Sequence, residues 1–335
     1  MCEKIDFVIT WVDGADPDWR KEMAFWKEKE TGEKEDASVI RYRDWDTLRY
    51  WFRGVEAYAP WVNRVHLLTW GHVPQWLNTE CPRLHVVNHK DFIPQKYLPT
   101  FSSHPIELNM HRIPGLSEHF VYFNDDFFLT APVKPEDFFR EDLPCDSLEE
   151  MPLDLCSCSQ MNYINANDIA FLNEYYLRTD CRKKFPQKWF SLSDPLTAAK
   201  NLMFCSLGRK RFFGLNFHHL PRAYRKQIFE EVWEQGGEWL DRTCSHKFRN
   251  DHDISPHAIK FWQLATGQFY PCSKRKYGCW FHGGQDPRLP AEAIRQKKYP
   301  CICYNDSDQI DFESAKSILL EAFHSVLPEK SSFEK

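Results

Sequence analysis

Short apolar runs recur through the first half of the chain and predict the strands of a buried sheet. The runs are rich in branched and aromatic residues and have the length of strands: residues 5–11, 65–69 and 84–87. A turn that contains Asp13 and Gly14 follows the first run. The first half therefore contains several candidate strands.

Segments with helical periodicity alternate with these runs. Residues 44–58 place apolar side chains at helical spacing, with Asp44 or Asp46 as the candidate cap and Pro60 just beyond the end. Strands that alternate with helices predict an α/β fold with a doubly wound, mainly parallel sheet. Ligands bind such sheets beyond the carboxyl ends of the strands, and Asp13 falls at such a position.

A further apolar run, residues 120–129, is interrupted once by Asn124, Asp125 and Asp126. Two adjacent carboxylates at the end of a buried strand repel each other, and unpaired buried charge is costly. We therefore expect the pair to face a cleft and to share a hard cation such as Mg²⁺, Mn²⁺ or Ca²⁺, which would hold a phosphate. An Asx-rich turn that closes the strand explains the three residues equally well.

The second half has a less regular pattern. Residues 132–154 are acidic and contain proline, which predicts an excursion or linker, and the charged residues 27–36 predict a solvated loop or helix end. Helical periodicity returns in residues 194–203, 222–236 and 312–323, the last stopped by Pro328. We expect an α/β part over 1–150 and a more helical part over 151–335, joined in one compact unit.

Composition narrows the class of protein. Of the 335 residues, 42% are hydrophobic and 27% are charged, as in a folded globular protein. Aromatic residues make up 16%, which suits stacking platforms for sugars and equally a Trp-rich core. The net charge of -5 gives no electrostatic reason to expect a nucleic-acid partner. The sequence has no GxGxxG or Walker-type glycine loop, which argues against dinucleotide oxidoreductases and P-loop kinases.

The cysteine pattern depends on the compartment. No stretch of the sequence resembles a signal peptide or a membrane span, so we expect a cytoplasmic protein that can still work at the inner face of the membrane. There, the 12 cysteines should be reduced and mostly buried. The Cys-x-Cys pairs Cys156/Cys158 and Cys301/Cys303 lack zinc-ribbon spacing, which leaves a structural metal as the lesser alternative.

Four blocks of sequence, taken together and in order, resemble a known family. They are ITWVDG within residues 5–14, RYRD to NDD across residues 41–126, FHHLP to HKFR across residues 217–249, and CICYND at residues 301–306. These blocks are similar to those of the Stealth family of sugar-phosphate transferases. The family comprises bacterial capsule and cell-wall polysaccharide phosphotransferases and is related to the lysosomal-enzyme GlcNAc-1-phosphotransferase.

The resemblance implies a nucleotide-sugar transferase fold and the transfer of a hexose 1-phosphate, not of a bare sugar. A glycan hydroxyl, on a free or lipid-linked acceptor, would attack the β-phosphorus of a UDP-sugar such as UDP-N-acetylhexosamine. UMP would leave, and the product would be a sugar phosphodiester in a capsular or cell-wall polysaccharide. A divalent metal, Mg²⁺ or Mn²⁺, would neutralise the diphosphate.

The resemblance also assigns catalytic roles. His219 matches the family's active-site histidine and would take the acceptor proton, with His218 as the neighbouring alternative. Arg249 matches the active-site arginine, whose guanidinium would bind two phosphate oxygens. An ion pair of Arg249 with Asp251 or Asp253 is the structural alternative.

Metal and nucleotide ligands follow from the same blocks. Asp126 is expected to be both catalytic and the most important metal ligand, with Asp125 and Asp306 completing the metal shell. The residues expected to bind the nucleotide or the metal-bound phosphates are Asp13, Gly14, Arg43, Arg112, Asn124 and Asn305. Trp11 would lie under the uracil or in the core, and His104 would contact one of the sugars. Ion pairs for the two arginines, and a plain Asn-Asp turn at 305–306, are the structural alternatives.

One position departs from the pattern of the animal relatives. The third block continues with Arg222 where those relatives place a second histidine, so the role of that histidine is in doubt here. Two other function classes remain open on sequence alone. An ordinary glycosyltransferase would attack the anomeric carbon and release UDP, and a glycan-binding protein would explain the aromatic residues without any catalysis.

Overall fold

A five-stranded sheet forms the centre of the molecule in the computed structural model, which describes residues 4–31, 43–153, 159–307 and 309–335. The strands, in chain order, are β1 (Ile5–Thr10), β2 (Val65–Thr69), β3 (Leu84–Asn88), β4 (His119–Phe123), β5 (Phe127–Leu129), β6 (Phe139–Arg140), β7 (Leu143–Asp146), β8 (Arg222–Arg225), β9 (Tyr270–Pro271), β10 (Gly278–Phe281) and β11 (Cys301–Tyr304). The main sheet has the order β3-β2-β1-β4-β8. Its first four strands are parallel, and β8 is antiparallel to β4.

Helices cover both faces of this sheet. In chain order they are α1 (Pro17–Thr31), α2 (Leu48–Tyr58), α3 (His89–Phe92), α4 (Ser103–Leu108), α5 (Gln160–Tyr175), α6 (Arg178–Lys184), α7 (Pro186–Trp189), α8 (Pro195–Cys205), α9 (Lys226–Ser245), α10 (His257–Ala265), α11 (Arg288–Arg295) and α12 (Phe312–Val326). On β1, Phe7 packs in the core formed with α2 and α12, whereas Val8 packs in the core formed with α4, α9 and α10. The predicted doubly wound, mainly parallel α/β sheet is confirmed.

The apolar run over residues 120–129 forms two strands in two different sheets. Strand β4 ends at Phe123, and the chain turns through Asn124, whose carbonyl accepts from Phe127 N at 3.1 Å. Strand β5 then leaves the main sheet and pairs antiparallel with β11, which pairs in parallel with β10. A third small sheet has the order β6-β7-β9. The three polar residues therefore mark the point where the chain passes from one sheet to another.

Two local predictions were wrong. Residues 222–225, expected to begin a helix, form β8 instead, because they complete the antiparallel ladder with β4 before α9 begins at Lys226. Helix α2 has Thr47 at its N-cap, not Asp44 or Asp46. The Asp44 carboxylate accepts from the backbone N–H of Asp46 at 2.7 Å, within a turn that precedes the helix.

Other predicted segments agree with the structure at least in part. Strands β2 and β3 and helix α12 occupy the predicted positions, and the carboxylate of Asp194 caps α8 through Thr197 N at 3.2 Å. The expected excursion at 132–154 contains the hairpin of β6 and β7, and its last residue lies outside the described residues. Of residues 27–36, those up to 31 belong to α1 and the rest lie outside the described residues.

The second half of the chain shares its core with the first. Strand β8 joins the main sheet, and β11 pairs with β5. Eight of the twelve described helices lie after residue 151. Nine cysteines fall in the described ranges and none of these nine is in a disulfide; the six buried ones are Cys81, Cys145, Cys181, Cys244, Cys301 and Cys303. The pair Cys156/Cys158 lies outside the described residues. Among the helices described, every one is too short or too polar to cross a bilayer.

Two buried histidines predict the pH dependence of stability. Burial lowers the pKa of His89 and of His111 to about 3, whereas an unfolded histidine titrates near 6.5. Below pH 6.5 the unfolded chain gains protons that the folded chain cannot accept, so stability falls as the pH falls. Each histidine should cost about 2 kcal/mol at pH 5 relative to pH 7.

Urea unfolding at these two pH values measures the effect. The variant His111→Leu should lose about 2 kcal/mol of the change in stability between pH 7 and pH 5, and His324→Leu, at an exposed position on α12, should keep the wild-type change. An unchanged slope in His111→Leu would contradict the assignment of the buried neutral imidazole.

Candidate active site

A cleft of about 650 Å³ opens beyond the carboxyl ends of β1 and β4. Residues that directly follow β1, β3, β4 and β11 contribute to its wall. Its size lies within the range of roughly 300–1,000 Å³ that is typical of ligand sites. The location is the one that parallel sheets use for binding.

Most of the residues expected from the sequence meet in this cleft. Those that line it are Arg43, Asn124, Asp125, Asp126, His219, Arg249, Asn305 and Asp306, together with Trp11 and His104. They come from segments that are far apart in the sequence. The fold thus brings the four sequence blocks to one place.

Three expected residues are placed elsewhere. Arg112 is exposed, donates from Nε to Asn109 at 3.1 Å and lies over the ring of Trp233 at 5.1 Å, so it does not reach the cleft. Asp13 and Gly14 follow the cleft residue Val12 but do not belong to the wall. The Asp13 carboxylate accepts from Ala15 N at 2.8 Å, and the Gly14 carbonyl accepts from Arg20 Nε at 2.6 Å, so both shape the turn after β1.

Asp126 stands at the centre of a hydrogen-bonded group. Its Oδ2 accepts from the amide of Asn305 and from Cys303 Sγ at 3.4 Å, and lies 3.7 Å from His219 Nε2. The Asn305 Oδ1 accepts in turn from Trp280 Nε1. Because indole can only donate, this bond orients the Asn305 amide so that its NH₂ group faces Asp126. The group is therefore fixed by residues of the turn between β4 and β5, of β10, of β11 and of the loop after β11.

The backbone at His218 decides which histidine faces the cleft. His218 has a φ of 43°, in the left-handed region, so the two adjacent side chains point in different directions. His219 enters the cleft, with its ring 4.9 Å from Trp280 and 5.0 Å from Phe127. His218 lies 3.6 Å from Glu149, and burial lowers its pKa to about 3. His219 is thus the histidine that the cleft presents to a ligand.

Arg222 is held in the cleft wall by a buried polar network. It donates to Glu107 at 3.0 Å, to Asn124 at 3.1 Å and to His257 Nε2 at 3.1 Å. Arginine only donates, so His257 Nε2 accepts and its Nδ1 carries the proton, 3.0 Å from Ser255 Oγ.

Ser255 is bonded in turn to Asp168 at 2.6 Å. Arg222 itself is 7% exposed, so its guanidinium is fixed before any ligand arrives.

Arg249 contributes a second guanidinium from another segment. Its Nη2 donates to Ser103 Oγ at 3.1 Å, and its Nη1 lies 3.6 Å from the sulfur of Met161. The suggested partner Asp253 is bonded to His246 Nδ1 at 2.6 Å and accepts from Asn250 N at 2.8 Å. Arg249 lines the cleft wall.

The carboxylates of the cleft fit a divalent cation. The set of candidate ligand atoms that lie close together differs from the set expected from the sequence. Among the described residues, Asp126 Oδ1 and Asp306 Oδ2 are buried and lack hydrogen-bond partners, as expected of oxygens that bind a cation. The ligand atoms of Asp126, His219 and Cys303 lie within 4.8 Å of one another. Asp306 instead approaches Arg43, at 3.7 Å. Asp126 is the residue common to the expected and the observed groups.

Asp125, in the same turn, also lines the cleft. Burial within the surrounding protein and the adjacent charge of Asp126 raise the pKa of Asp125 to about 7. Its neutral form is favoured because the two consecutive carboxylates repel each other. A cation or a proton would relieve this repulsion, so the acid pair is suited to a charged ligand.

Sequence reasoning missed several of these residues. Glu107 is buried in α4, and burial raises its pKa while Arg222 opposes the shift. The signal available for it was that Glu107 is the one acid in α4. Trp280 carried no such signal, because it is one aromatic residue within an apolar strand. Cys303 belonged to the CICYND block and to a Cys-x-Cys pair, but neither pattern assigned it a role in the site.

Comparisons with known proteins agree with the geometry. Family descriptions match residues 3–31 (Stealth protein CR1, conserved region 1), 41–145 (Stealth protein CR2, conserved region 2) and 218–258 (Stealth protein CR3, conserved region 3). A protein named capsular polysaccharide phosphotransferase WcwK, from Streptococcus pneumoniae, is 37% identical over 99% of this chain and 98% of its own length. The chain belongs to the Stealth family. The prediction from the four blocks is thereby confirmed.

Further Stealth relatives match over nearly their whole length. The receptor polysaccharide phosphotransferase WefC of Streptococcus oralis is 39% identical, with 99% of each chain covered. The exopolysaccharide phosphotransferase cps2G of Lactiplantibacillus plantarum is 36% identical over 99% of this chain and 96% of its own. Among solved structures, the galactosyltransferase LgtC shares 11% identity and a TM-score of 0.39 over 94% of this chain and 95% of its own. The chain is an enzyme of the sugar-phosphate transferase class.

The two histidines of this Stealth enzyme should differ sharply in importance. If His219 takes the acceptor proton, His219→Ala should lower kcat by about 100-fold or more. His218→Asn should leave kcat within a few-fold of wild type, since asparagine tolerates positive φ and the side chain faces away from the cleft. Steady-state kinetics of both variants measures this difference. Equal losses would mean that the backbone at residue 218 does not separate the roles.

Arg222 should contribute to stability and to activity through different contacts. Arg222→Leu leaves Glu107 buried without its cation, which should cost about 3–5 kcal/mol of stability. The double variant Arg222→Leu/Glu107→Leu should regain most of this stability but not the activity. Urea unfolding and kcat together measure the separation.

Arg112→Leu, at the exposed position outside the cleft, is the matched control and should change neither quantity much. Recovery of activity in the double variant would show that Arg222 serves the fold alone.

Proposed function

We propose that the enzyme transfers a hexose 1-phosphate from a UDP-sugar to a hydroxyl of a glycan acceptor in capsular or cell-wall polysaccharide synthesis, and releases UMP. The observation that carries this proposal is the meeting of Asp126, Asn305 and His219 in one cleft with the guanidinium groups of Arg222 and Arg249. A diphosphate needs cations for its charge, and the acceptor hydroxyl needs a base. The cleft offers both.

The proposed step is a substitution at phosphorus. The acceptor oxygen forms a bond to the β-phosphorus, and the bond from that phosphorus to the oxygen bridging to the α-phosphorus breaks. UMP leaves with the bridging oxygen. His219 takes the acceptor proton, because its ring faces the cleft and its Nε2 lies 3.7 Å from the carboxylate of Asp126.

The arginines support this step by position and charge. Arg222 is already fixed by Glu107, Asn124 and His257, so little reorganisation is needed when phosphate charge develops near it. Arg249 and Arg43 lie in the same wall and add charge from different segments. Phosphoryl transfer depends mainly on such positioning and neutralisation. The cations of the cleft are therefore assigned to the diphosphate.

A divalent cation, Mg²⁺ or Mn²⁺, is part of the proposal. Asp126 would hold it, with Asp125 or Asp306 as further oxygen ligands. A cation of this kind supplies charge neutralisation for the diphosphate and for the leaving UMP. Oxygen ligands favour Mg²⁺ and Mn²⁺ over softer metals.

The names of the relatives support a glycan as the acceptor. The relatives are named for capsular, receptor and exopolysaccharides, which are assembled from repeating sugar units. We extend this to the present chain and expect a free or lipid-linked glycan, used at the inner face of the membrane. Trp11 and Trp280, in the cleft wall, offer aromatic faces to the donor and acceptor.

Nucleotide release tests the reaction. The enzyme is incubated with a panel of UDP-sugars, Mg²⁺ or Mn²⁺, and glycan extract from a capsule-forming bacterium. UMP should appear, should vanish with a chelator, and should be lost in Asp126→Asn. Asp286→Asn, at an exposed carboxylate outside the cleft, is the control and should release UMP normally.

The identity of the nucleotide separates the two enzyme classes. Release of UDP in place of UMP would assign the protein to the ordinary glycosyltransferases and would overturn the phosphodiester mechanism. UMP release that persists in Asp126→Asn would overturn the assigned role of the carboxylate.

A further inference from the structure

Helix α8 presents its apolar side chains to solvent. The structure's described ranges contain ten large hydrophobic residues that are exposed, and five of them fall within residues 192–207: Leu192, Leu196, Leu202, Met203 and Leu207, which are 87%, 65%, 66%, 60% and 56% exposed. We call these five residues the α8 surface. None of them lines the cleft. Such a concentration at one place marks a binding surface.

The orientation of α8 is the reverse of that of an ordinary surface helix. Successive residues turn by about 100°, so Leu196, Leu202 and Met203 fall on one stripe of roughly 120°. The side of the helix that faces the protein carries the polar residues Thr197 and Asn201, both buried. A helix on a globular protein normally buries its apolar stripe. The apolar stripe of α8 therefore has no partner in the described part of the chain.

Hydrogen bonds hold α8 in this orientation. The Asn201 amide donates to the carbonyls of Leu148 and Trp189, both at 2.8 Å, and its Oδ1 accepts from Glu150 N at 2.9 Å. All three bonds are buried, so rotating the leucines inward would leave these polar groups without partners, at a cost in free energy. The exposed stripe is thus a fixed feature of the fold.

Basic residues surround the α8 surface. Residues 182–211 contain eight lysines and arginines and one acid, Asp194, in a chain whose net charge is -5. Five of the basic side chains are exposed and, in the ranges described, form no ion pair: Lys183, Lys184, Arg209, Lys210 and Arg211, the last of which donates to the Asn173 carbonyl at 2.6 Å. Helix α6 is bound to this segment, since Arg178 donates to the Arg209 carbonyl at 2.9 Å. Arg209, Lys210 and Arg211 thus closely follow Leu207 in the chain, and α6, which carries Lys183 and Lys184, is bonded to the same segment.

We propose that the α8 surface and its basic flanks dock on an anionic lipid bilayer. Aliphatic side chains that enter the interface, combined with cations that meet acidic headgroups, are the two signals that hold a helix in the plane of a membrane. The charge excludes the nearest alternative. In a symmetric dimer through this face, the basic flanks of both copies would meet and repel. A bilayer with acidic headgroups accepts both the leucines and the cations.

The docking surface is connected rigidly to the catalytic loop. Asn201 binds the backbone beside Glu149, and the Glu149 carbonyl accepts from Asn216 N at 2.9 Å, three residues before His219. The membrane would thus present the cleft at a fixed orientation, which suits an acceptor that is itself attached to lipid. The docking proposal goes beyond the proposed reaction and does not depend on it.

Vesicle flotation of the full chain, without any substrate, tests the proposal. The protein should float with vesicles of phosphatidylglycerol mixed into phosphatidylcholine, and much less with pure phosphatidylcholine. The variant Leu196→Gln/Leu202→Gln/Met203→Gln should bind the mixed vesicles about tenfold or more weakly. The variant Lys183→Gln/Lys184→Gln/Arg209→Gln/Lys210→Gln should lose the preference for the acidic lipid and the dependence on salt.

Leu289→Gln, an equally exposed leucine on α11 away from this face, is the matched control and should float as wild type does. Wild-type protein that fails to float, or a triple variant that floats normally, would overturn the proposal. Light scattering, which measures the oligomeric state, tests whether a second copy of the chain covers this surface instead. A dimer that the triple variant dissociates, with no flotation of wild type, would assign the surface to a second copy of the chain. The two proposals can fail separately. Wild-type protein that releases UMP but does not float would contradict only the docking proposal, and wild-type protein that floats but releases no UMP would contradict only the proposed reaction.

Discussion

The site depends on one constraint: polar side chains between two largely apolar sheets must find hydrogen-bond partners. Where the chain passes from β4 to β5, Asn124 and Asp126 lie at the boundary of two sheets with largely apolar cores. Each recruits a distant partner: Asn124 accepts from Arg222, and Asp126 accepts from Asn305, 98 and 179 residues away in the chain. The requirement that buried polar groups be paired thus assembles the cleft and closes the fold around it.

Local pattern was enough to predict much of the scaffold. The strands at 65–69 and 84–88 and helix α12 follow from apolar runs and periodicity, because their burial is decided by nearest neighbours in the sheet. Residues 222–225 could not be predicted in this way. Their extended form comes from pairing with β4, about a hundred residues earlier, and helical periodicity in the following residues masked it.

The candidate site, like the scaffold, was predictable from the sequence only in part. The motif blocks indicated His219 and Asp126, because these residue types occur in a recognisable order. The supports of the site gave no sequence signal: Trp280 orients Asn305 through one indole hydrogen bond, and His257 holds Arg222 through one imidazole nitrogen. Such contacts depend on rotamers and on sheet geometry, which a linear pattern does not contain. Arg112 shows the converse, since a basic residue near a motif proved to face Trp233 at the surface.

The left-handed backbone at His218 has a consequence for how this loop can vary. Two consecutive histidines have the same chemistry, and a shift of one position would exchange them. Here the positive φ at His218 decides that one histidine faces the cleft and the other lies near Glu149. Position 218 is therefore restricted by conformation more than by chemistry. Glycine, asparagine and aspartate are compatible with it, whereas a β-branched residue would rotate its neighbour out of the cleft without altering any catalytic group.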